Sequence, residues 1–204
     1  MVERGEPAFM TFRFILLRTL LLVWTWFACG ALRLNAAPLH RYQYSQMAMG
    51  VQVRITVYAP SQSVAERACA AAFERIAEIE QVMSDYRADS ELMQLCARAG
   101  GEPVRVSEEL FTVLKRAQEL SRRTGGAFDV TVGPYVQLWR RARRGGGFPT
   151  EQELQEARQR VGYEKMVLDE RERTVQLLVP GMRLDFGGIA NGYALDCALK
   201  VLQE

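Results

Sequence analysis

Between residues 51 and 83 the spacing of apolar residues changes from the period of a β-strand to the period of an α-helix. This change limits the possible folds more strongly than any other feature of the sequence. Residues 51–58, VQVRITVY, alternate apolar and polar side chains, which predicts a half-buried β-strand that Pro60 ends. From about Ser63 to Met83, apolar residues recur at intervals of three and four, the period of an amphipathic helix. The chain therefore combines strands with helices.

The rest of the chain continues this interleaving. Ser107 begins a helix that Gly125–Gly126 stop, and the capping box Thr150–Glu153 opens another that runs to about Arg160. Later segments predict a pair of strands, a third strand and a last helix, at 166–168, 175–179, 182–186 and about 190–204. Interleaved strands and helices favour a mixed α/β or α+β layered domain. We predict the α+β class, with helices packed on a layered mixed sheet.

Composition excludes several classes of protein and of site. With 204 residues, 49% apolar and 25% charged, the chain is typical of a globular protein. The net charge is +2, and residues 38–204 are formally neutral, so we expect no nucleic-acid partner. His40 is the single histidine, which excludes a Ser-His-Asp triad, a Cys-His dyad and a histidine-ligated zinc site within the sequence given. The four cysteines form no CxxC pair.

The N-terminal segment has the pattern of an export signal. Arg13 and Arg18 precede an apolar run, Thr19–Leu32, whose fourteen residues fall short of the ~20 that a spanning helix needs. Cleavage near Pro38, lipid attachment at Cys29 and an uncleaved anchor are three alternatives. We therefore expect residues 1–37 to be a signal peptide or N-terminal anchor. We expect residues 38–204 to form a domain that works outside the cytoplasm, periplasmic or anchored to a membrane.

Two glycine-containing segments are candidates for ligand binding. In residues 124–134, TGGAFDVTVGP, paired glycines allow a close approach of the backbone, and Asp129 can accept hydrogen bonds. A helix end leading into a strand explains the same residues equally well. Residues 185–192, DFGGIANG, lie at a predicted strand-to-helix junction, where free N–H groups favour an anion such as a pyrophosphate. A glycine hinge before a packed helix is the alternative.

Tyr86 and a cluster of arginines are further candidates. Tyr86 follows the long predicted helix and can stack on a planar ring, although a tyrosine at the edge of the core is the commoner explanation. Arg140, Arg141, Arg143 and Arg144 precede three glycines, in what we interpret as a basic loop. Such a loop can reach phosphates, but a solvated run of charges is the simpler expectation.

Four motifs in the same order and spacing resemble the FAD:protein FMN transferases, the ApbE family, formerly described as thiamine biosynthesis lipoproteins. The motifs cover about residues 45–204: MGV at 49–51, MSDYRADSEL at 83–92, TGGAFDVTVGP with LW at 124–139, and LDFGGIANGYALD at 184–196. The resemblance implies an exported, magnesium-dependent enzyme that cleaves FAD. It implies transfer of FMN to a threonine hydroxyl of an acceptor flavoprotein, commonly a subunit of a membrane redox pump, with release of AMP.

The resemblance also assigns roles to residues of this chain. The FAD-binding residues that it implies are Met49, Tyr86, Ala127, Phe128, Asp129, Asp185 and Asn191. The carbonyl of Gly188 is expected to contribute to the magnesium site. No catalytic residue is identified.

Two departures from the family pattern qualify these expectations. Asn191 stands where many members have lysine, and an amide can donate a hydrogen bond but cannot neutralise charge. The family's remaining magnesium ligands, an aspartate and a threonine, come from a later motif, so we expect the C-terminal part of the fold to be missing. A non-catalytic FAD-binding protein, an FAD pyrophosphatase and an inert truncated product are the alternatives.

Overall fold

The computed structural model describes residues 38–204, so the signal or anchor predicted for residues 1–37 lies outside the described residues. The described region begins with a long hairpin, in which β1 (His40–Ala48) pairs antiparallel with β2 (Val51–Ala59). Met49 and Gly50 form the connection with φ values of 52° and 75°. Two consecutive residues with positive φ are typical of the tight turns whose twist matches a hairpin.

Six helices and one short 3₁₀ turn at Tyr163–Lys165 follow the hairpin in the described region. The helices are α1 (Gln62–Met83), α2 (Glu91–Ala97), α3 (Glu108–Arg123), α4 (Gly133–Arg143), α5 (Glu151–Gln159) and α6 (Ala190–Gln203). Side-chain oxygens of Ser61, Ser90, Ser107 and Thr150 accept hydrogen bonds from backbone N–H groups at the starts of α1, α2, α3 and α5. The capping box predicted at Thr150 and Glu153 is confirmed.

A second, smaller sheet contains β3 (Val104–Arg105), β4 (Met166–Asp169) and β5 (Thr174–Leu177), antiparallel in the order β3-β5-β4. The predicted strand pair is thus confirmed as β4 and β5. The third strand predicted over Met182–Phe186 is wrong, because only Arg183 makes a bridge, with Val132. The neighbouring N–H groups bond elsewhere: Leu184 donates to Cys96 Sγ at 3.3 Å and Asp185 to the Val130 carbonyl at 2.8 Å.

The core forms around α1, which packs against α6 and against the hairpin. Its buried stripe includes Cys69, Ile76, Ile79 and Met83, as the helical period predicted. The segment before α6 adds Leu184 and Phe186, both almost completely buried. The α+β class is confirmed, with the strands divided between two small sheets. Within residues 38–204, none of the helices is both long and apolar enough to cross a lipid bilayer.

The close approach of α4 to the segment before α6 generates a stability prediction. A Cβ atom at Gly133 would overlap the backbone carbonyl of Arg183, whereas a Cβ at Gly192 would meet no atom within 4 Å. We expect Gly133→Ala to lower the free energy of unfolding by about 1–3 kcal/mol, because backbone must move. The matched change Gly192→Ala should be neutral or stabilising by up to about 1 kcal/mol. Urea denaturation of both variants measures this, and equal stabilities would contradict it.

Candidate functional site

A cavity of about 530 Å³ opens between the β1–β2 turn, the end of α1 and the start of α6. Three residues that the sequence assigned to a nucleotide line it together: Met49, Tyr86 and Asn191. Gly187 and Arg140 also line the cavity. The cavity is therefore built from three of the four motifs that carried the resemblance.

The loop after α1 holds Tyr86 in place through short-range hydrogen bonds. Ser84 caps the C-terminus of α1 with its N–H, and its hydroxyl oxygen accepts hydrogen bonds from the N–H groups of Tyr86 and Arg87, both at 3.3 Å. The buried hydroxyl of Ser90 donates to the Ser84 carbonyl at 2.6 Å. The Tyr86 side chain nevertheless projects outwards and is 71% exposed. It is thus a fixed, open aromatic surface and not a tyrosine at the edge of the core.

Arg140 joins three parts of the chain at the back of this cavity. Its Nη2 lies 2.6 Å from Asp85 Oδ2 and 3.0 Å from Asp185 Oδ2, and its guanidinium carbon lies 4.1 Å from the centroid of the Tyr86 ring. The side chains of Arg140, Asp85 and Asp185 are only 18%, 10% and 13% exposed. Arg140 therefore pairs two nearly buried carboxylates and stacks on the exposed tyrosine.

Two carboxylates sharing one cation have an electrostatic cost. Burial raises the pKa of Asp185 above its usual range, and the neighbouring Asp85 raises it further. The Gly187 N–H, which donates to Asp185 Oδ1 at 3.0 Å, and the positive charge of Arg140 oppose this rise in pKa. Asp185 thus holds the glycine turn before α6, and the charge of Arg140 favours the ionised form of its carboxylate.

The start of α6 presents a polar surface to the cavity. Its N-cap residue, Ile189, makes no side-chain hydrogen bond to the helix, and the first turn contains no acidic residue. Ala190 and Asn191 at this end of the helix both line the cavity. The Phe186 carbonyl accepts hydrogen bonds from the Ile189 and Ala190 N–H groups, both at 2.9 Å. A helix N-terminus without a side-chain cap carries partial positive charge, so this wall is suited to an anionic group.

The segment 127–129 does not line this cavity. Asp129 Oδ1 accepts hydrogen bonds from the N–H and the hydroxyl of Thr131, at 2.8 and 2.7 Å, which closes a local turn. The Phe128 ring lies behind the glycine turn before α6, since a Cβ at Gly188 would be 3.2 Å from Phe128 Cε2. Contact of Ala127, Phe128 and Asp129 with a nucleotide stays a prediction.

Magnesium ligands are scarce around Gly188. Among residues 38–204, no group of three or more His, Cys, Asp or Glu side chains is placed to hold a metal ion. Asp185 is already bound to Arg140 and to the Gly187 N–H. The described residues therefore do not by themselves make a site that suits Mg²⁺, which takes six oxygen ligands in near-ideal octahedral geometry.

Sequence reasoning missed the roles of Asp85, Arg140 and Arg183. The interpretation of residues 140–144 as a basic loop is wrong, because Arg140, Arg141 and Arg143 belong to the last turn of α4 and Arg144 caps it. The expected solvated run is wrong for Arg140, which is paired and largely buried. Pro134 in the first turn of α4 was the available signal, since proline is well tolerated there.

Comparison with known proteins agrees with this architecture. The model of the ApbE family matches residues 49–204. A FAD:protein FMN transferase of Klebsiella pneumoniae (strain 342) is 32% identical over 163 residues, which are 80% of this chain and 50% of that protein. A FAD:protein FMN transferase of Treponema pallidum (strain Nichols) is 32% identical over 182 residues, 86% of this chain and 49% of that protein.

Solved structures give the same result. The flavin transferase ApbE from Vibrio cholerae superposes with a TM-score of 0.73 at 31% identity, covering 81% of this chain and 54% of that one. The ApbE protein of Thermotoga maritima gives a TM-score of 0.71 at 31% identity, covering 80% and 52%. The chain spans about half the length of the curated relatives named above.

The cluster around Arg140 generates a prediction with a pH dependence. We expect Arg140→Met to lower the free energy of unfolding at pH 7 by about 3 kcal/mol, because it leaves two nearly buried carboxylates without their cation. Without that cation, the pKa of Asp185 rises further in the folded state, so the folded protein takes up a proton as the pH falls. The deficit should therefore shrink between pH 7 and pH 5.

Urea denaturation at the two pH values measures this deficit. Arg143→Met is the matched control, since Arg143 is exposed on the same helical turn and should change stability by less than about 0.5 kcal/mol. A deficit for Arg140→Met that is equal at both pH values, or larger at pH 5, would show that the lost stability does not come from unpaired charge on the two carboxylates.

Proposed function

The chain belongs to the ApbE family, and on this premise we propose that it binds FAD and transfers the FMN part to a hydroxyl of an acceptor flavoprotein. One observation carries the proposal. Met49, Tyr86 and Asn191, which are far apart in the chain, line a single cavity, and Asp185 is paired with Arg140 in its wall. A dinucleotide with two ring systems needs such a combination of an aromatic surface and an anion-binding helix start.

The residues of the cavity divide the work of binding. The exposed Tyr86 ring offers a surface on which one ring system of FAD stacks, with Met49 as an adaptable apolar neighbour. The N-terminus of α6 and the amide of Asn191 face the pyrophosphate. Asn191 donates a hydrogen bond without adding charge, so neutralisation of the phosphates depends on other groups.

In the proposed reaction the acceptor hydroxyl oxygen attacks the phosphorus of the FMN half. A new phosphorus–oxygen ester bond forms, the bond to the bridging pyrophosphate oxygen breaks, and AMP leaves. The hydroxyl proton passes to a base. Positioning and charge neutralisation dominate such transfers. We further propose threonine as the acceptor residue and a requirement for Mg²⁺, with the Gly188 carbonyl as one ligand and further ligands beyond those that the described residues supply.

We also propose where the protein acts. The basic and then apolar sequence of residues 1–37 supports export, with or without retention of a membrane anchor or a lipid on Cys29. The acceptor is then a flavoprotein exposed outside the cytoplasm, of the redox pump subunit type.

Incubation of the purified full-length protein with FAD, Mg²⁺ and an acceptor flavoprotein domain tests the proposed transfer. We expect flavin fluorescence to remain on the acceptor in a denaturing gel, and to be lost when the acceptor threonine is replaced by alanine. Free FMN and AMP formed without acceptor would instead indicate an FAD pyrophosphatase. Reversibly bound, unchanged FAD would indicate a carrier.

The stacking role of Tyr86 predicts a specific loss of affinity. Tyr86→Ala should weaken FAD binding about two- to twelvefold, the effect of losing an aromatic contact of about 0.5–1.5 kcal/mol, while Tyr86→Phe should bind normally. Tyr58→Ala is the matched control, because Tyr58 is 64% exposed against 71% for Tyr86 but does not line the cavity. Titration of flavin fluorescence measures the affinity, and an equal loss in both alanine variants would argue against stacking at Tyr86.

A further inference from the structure

A second cavity, of about 470 Å³, adjoins the first and shares Asp85, Tyr86 and Arg140 with it. Its remaining wall comes from the end of α4, the glycine loop after α4 and Arg183. We propose that this cavity docks an acidic segment of the acceptor protein beside the threonine that receives FMN. The inference rests on the proposed function and names the chemistry of its second substrate.

The lining of the second cavity is positively charged. Four arginines line the second cavity, and Asp85 is the one carboxylate in its lining. Asp85 is already paired with Arg140, while Arg183 donates to the Asp85 carbonyl at 3.1 Å. Arg141 forms a half-exposed pair with Glu153 at 2.7 Å, and Arg144 has no ion pair with any residue that the structure describes. Counted against Asp85, Asp185 and Glu153, the four arginines leave one positive charge unbalanced, and Arg144 and Arg183 are the two without an ion pair among the described residues.

The backbone conformation of the glycine loop after α4 gives this cavity a defined wall. Gly145 and Gly147 have φ values of 87° and 77°, which side-chain-bearing residues rarely adopt. Between them, Gly146 lies so close to Arg141 that a Cβ would be 2.6 Å from the Arg141 Cγ. The loop is thus packed on the stem of one arginine, and it fixes the lower wall of the cavity.

Two exposed aromatic residues are neighbours in sequence of the residues that form this wall. Trp139 and Phe148 flank the arginine and glycine residues on either side, and their rings meet edge to face with centroids 6.3 Å apart. They are 47% and 84% exposed. Tryptophan, phenylalanine and arginine are residue types enriched in protein–protein interfaces, where aromatic anchors contribute much of the binding energy.

Position decides which protein segment docks there. The acceptor hydroxyl must reach a phosphorus atom of FAD bound in the first cavity, so the chain on either side of that hydroxyl has to run along an adjoining cleft. The second cavity shares Tyr86 and Arg140 with the first and satisfies this condition. Its excess of arginines selects carboxylate side chains, whose geometry suits the guanidinium fork.

Binding of a labelled peptide to the full chain tests this docking site. The probe is a fluorescent peptide with one threonine flanked by aspartates, and its neutral partner has asparagine in place of each aspartate. Arg144→Glu should weaken binding of the acidic peptide about five- to tenfold, because it places a repelling charge in the cavity. Arg143→Glu is the matched control, since Arg143 is exposed on the same turn of α4 but does not line the cavity. It should change the affinity less than about twofold.

Fluorescence anisotropy at low and high salt measures the affinities, and thermal unfolding verifies that both variants fold. The proposal is overturned if the acidic peptide does not bind, if it binds no better than the neutral peptide, or if both charge reversals weaken it equally. Oligothymidylate of equal charge that binds as tightly would also overturn it, in favour of a general polyanion surface. Failure of the proposed transfer is distinguishable, because it would leave this peptide-binding pattern intact while no FMN reaches any acceptor.

Discussion

The pairing of Arg140 with Asp85 and Asp185 is the interaction on which the rest of the site depends. Charges this little exposed are tolerable only when paired, so the loop after α1, helix α4 and the segment before α6 must meet at one point. Within this cluster, Asp185 holds the turn at Gly187 through a hydrogen bond, and Arg140 holds the exposed ring of Tyr86 through stacking. Both cavities take their shared wall from this cluster.

Elements governed by local physics could be predicted from the sequence. The apolar period of α1 and the caps of α3 and α5 act within a few residues, so the chain itself specifies those helices. Strand β1 was missed because its side chains, apart from Ala48, are exposed or half-exposed and give no alternating pattern. Helix α4 is not evident from the sequence because its glycine and proline are typical of loops, although both are compatible with a first helical turn.

The candidate site could be predicted only in part, for a physical reason. Met49, Tyr86, Asp185 and Asn191 can be named as candidates because they belong to recognisable motifs, and all but Asp185 line the first cavity. The partners of Arg140 lie in distant parts of the chain, and a pairing of that kind leaves no periodic signal in the sequence. A run of arginines is by default a solvated surface, and only the fold shows that Arg140 departs from this default. Likewise, sequence alone does not show that Asp129 Oδ1 accepts hydrogen bonds from the Thr131 N–H and hydroxyl.

The two cavities differ in how far the charges of their lining arginines are paired. The difference arises at the cluster of Arg140, Asp85 and Asp185. Two arginines line the first cavity: Arg87 pairs with Asp89, and Arg140 pairs with two aspartates. The groups left to contact a ligand there are an aromatic ring and a helix N-terminus. In the second, Arg141 pairs with Glu153 at 2.7 Å, while Arg144, at the exposed end of α4, has no ion pair among the described residues and keeps its charge available to a partner. In our proposal, the nucleotide site and the docking site for an acidic acceptor segment therefore share a wall that contains Tyr86 and Arg140.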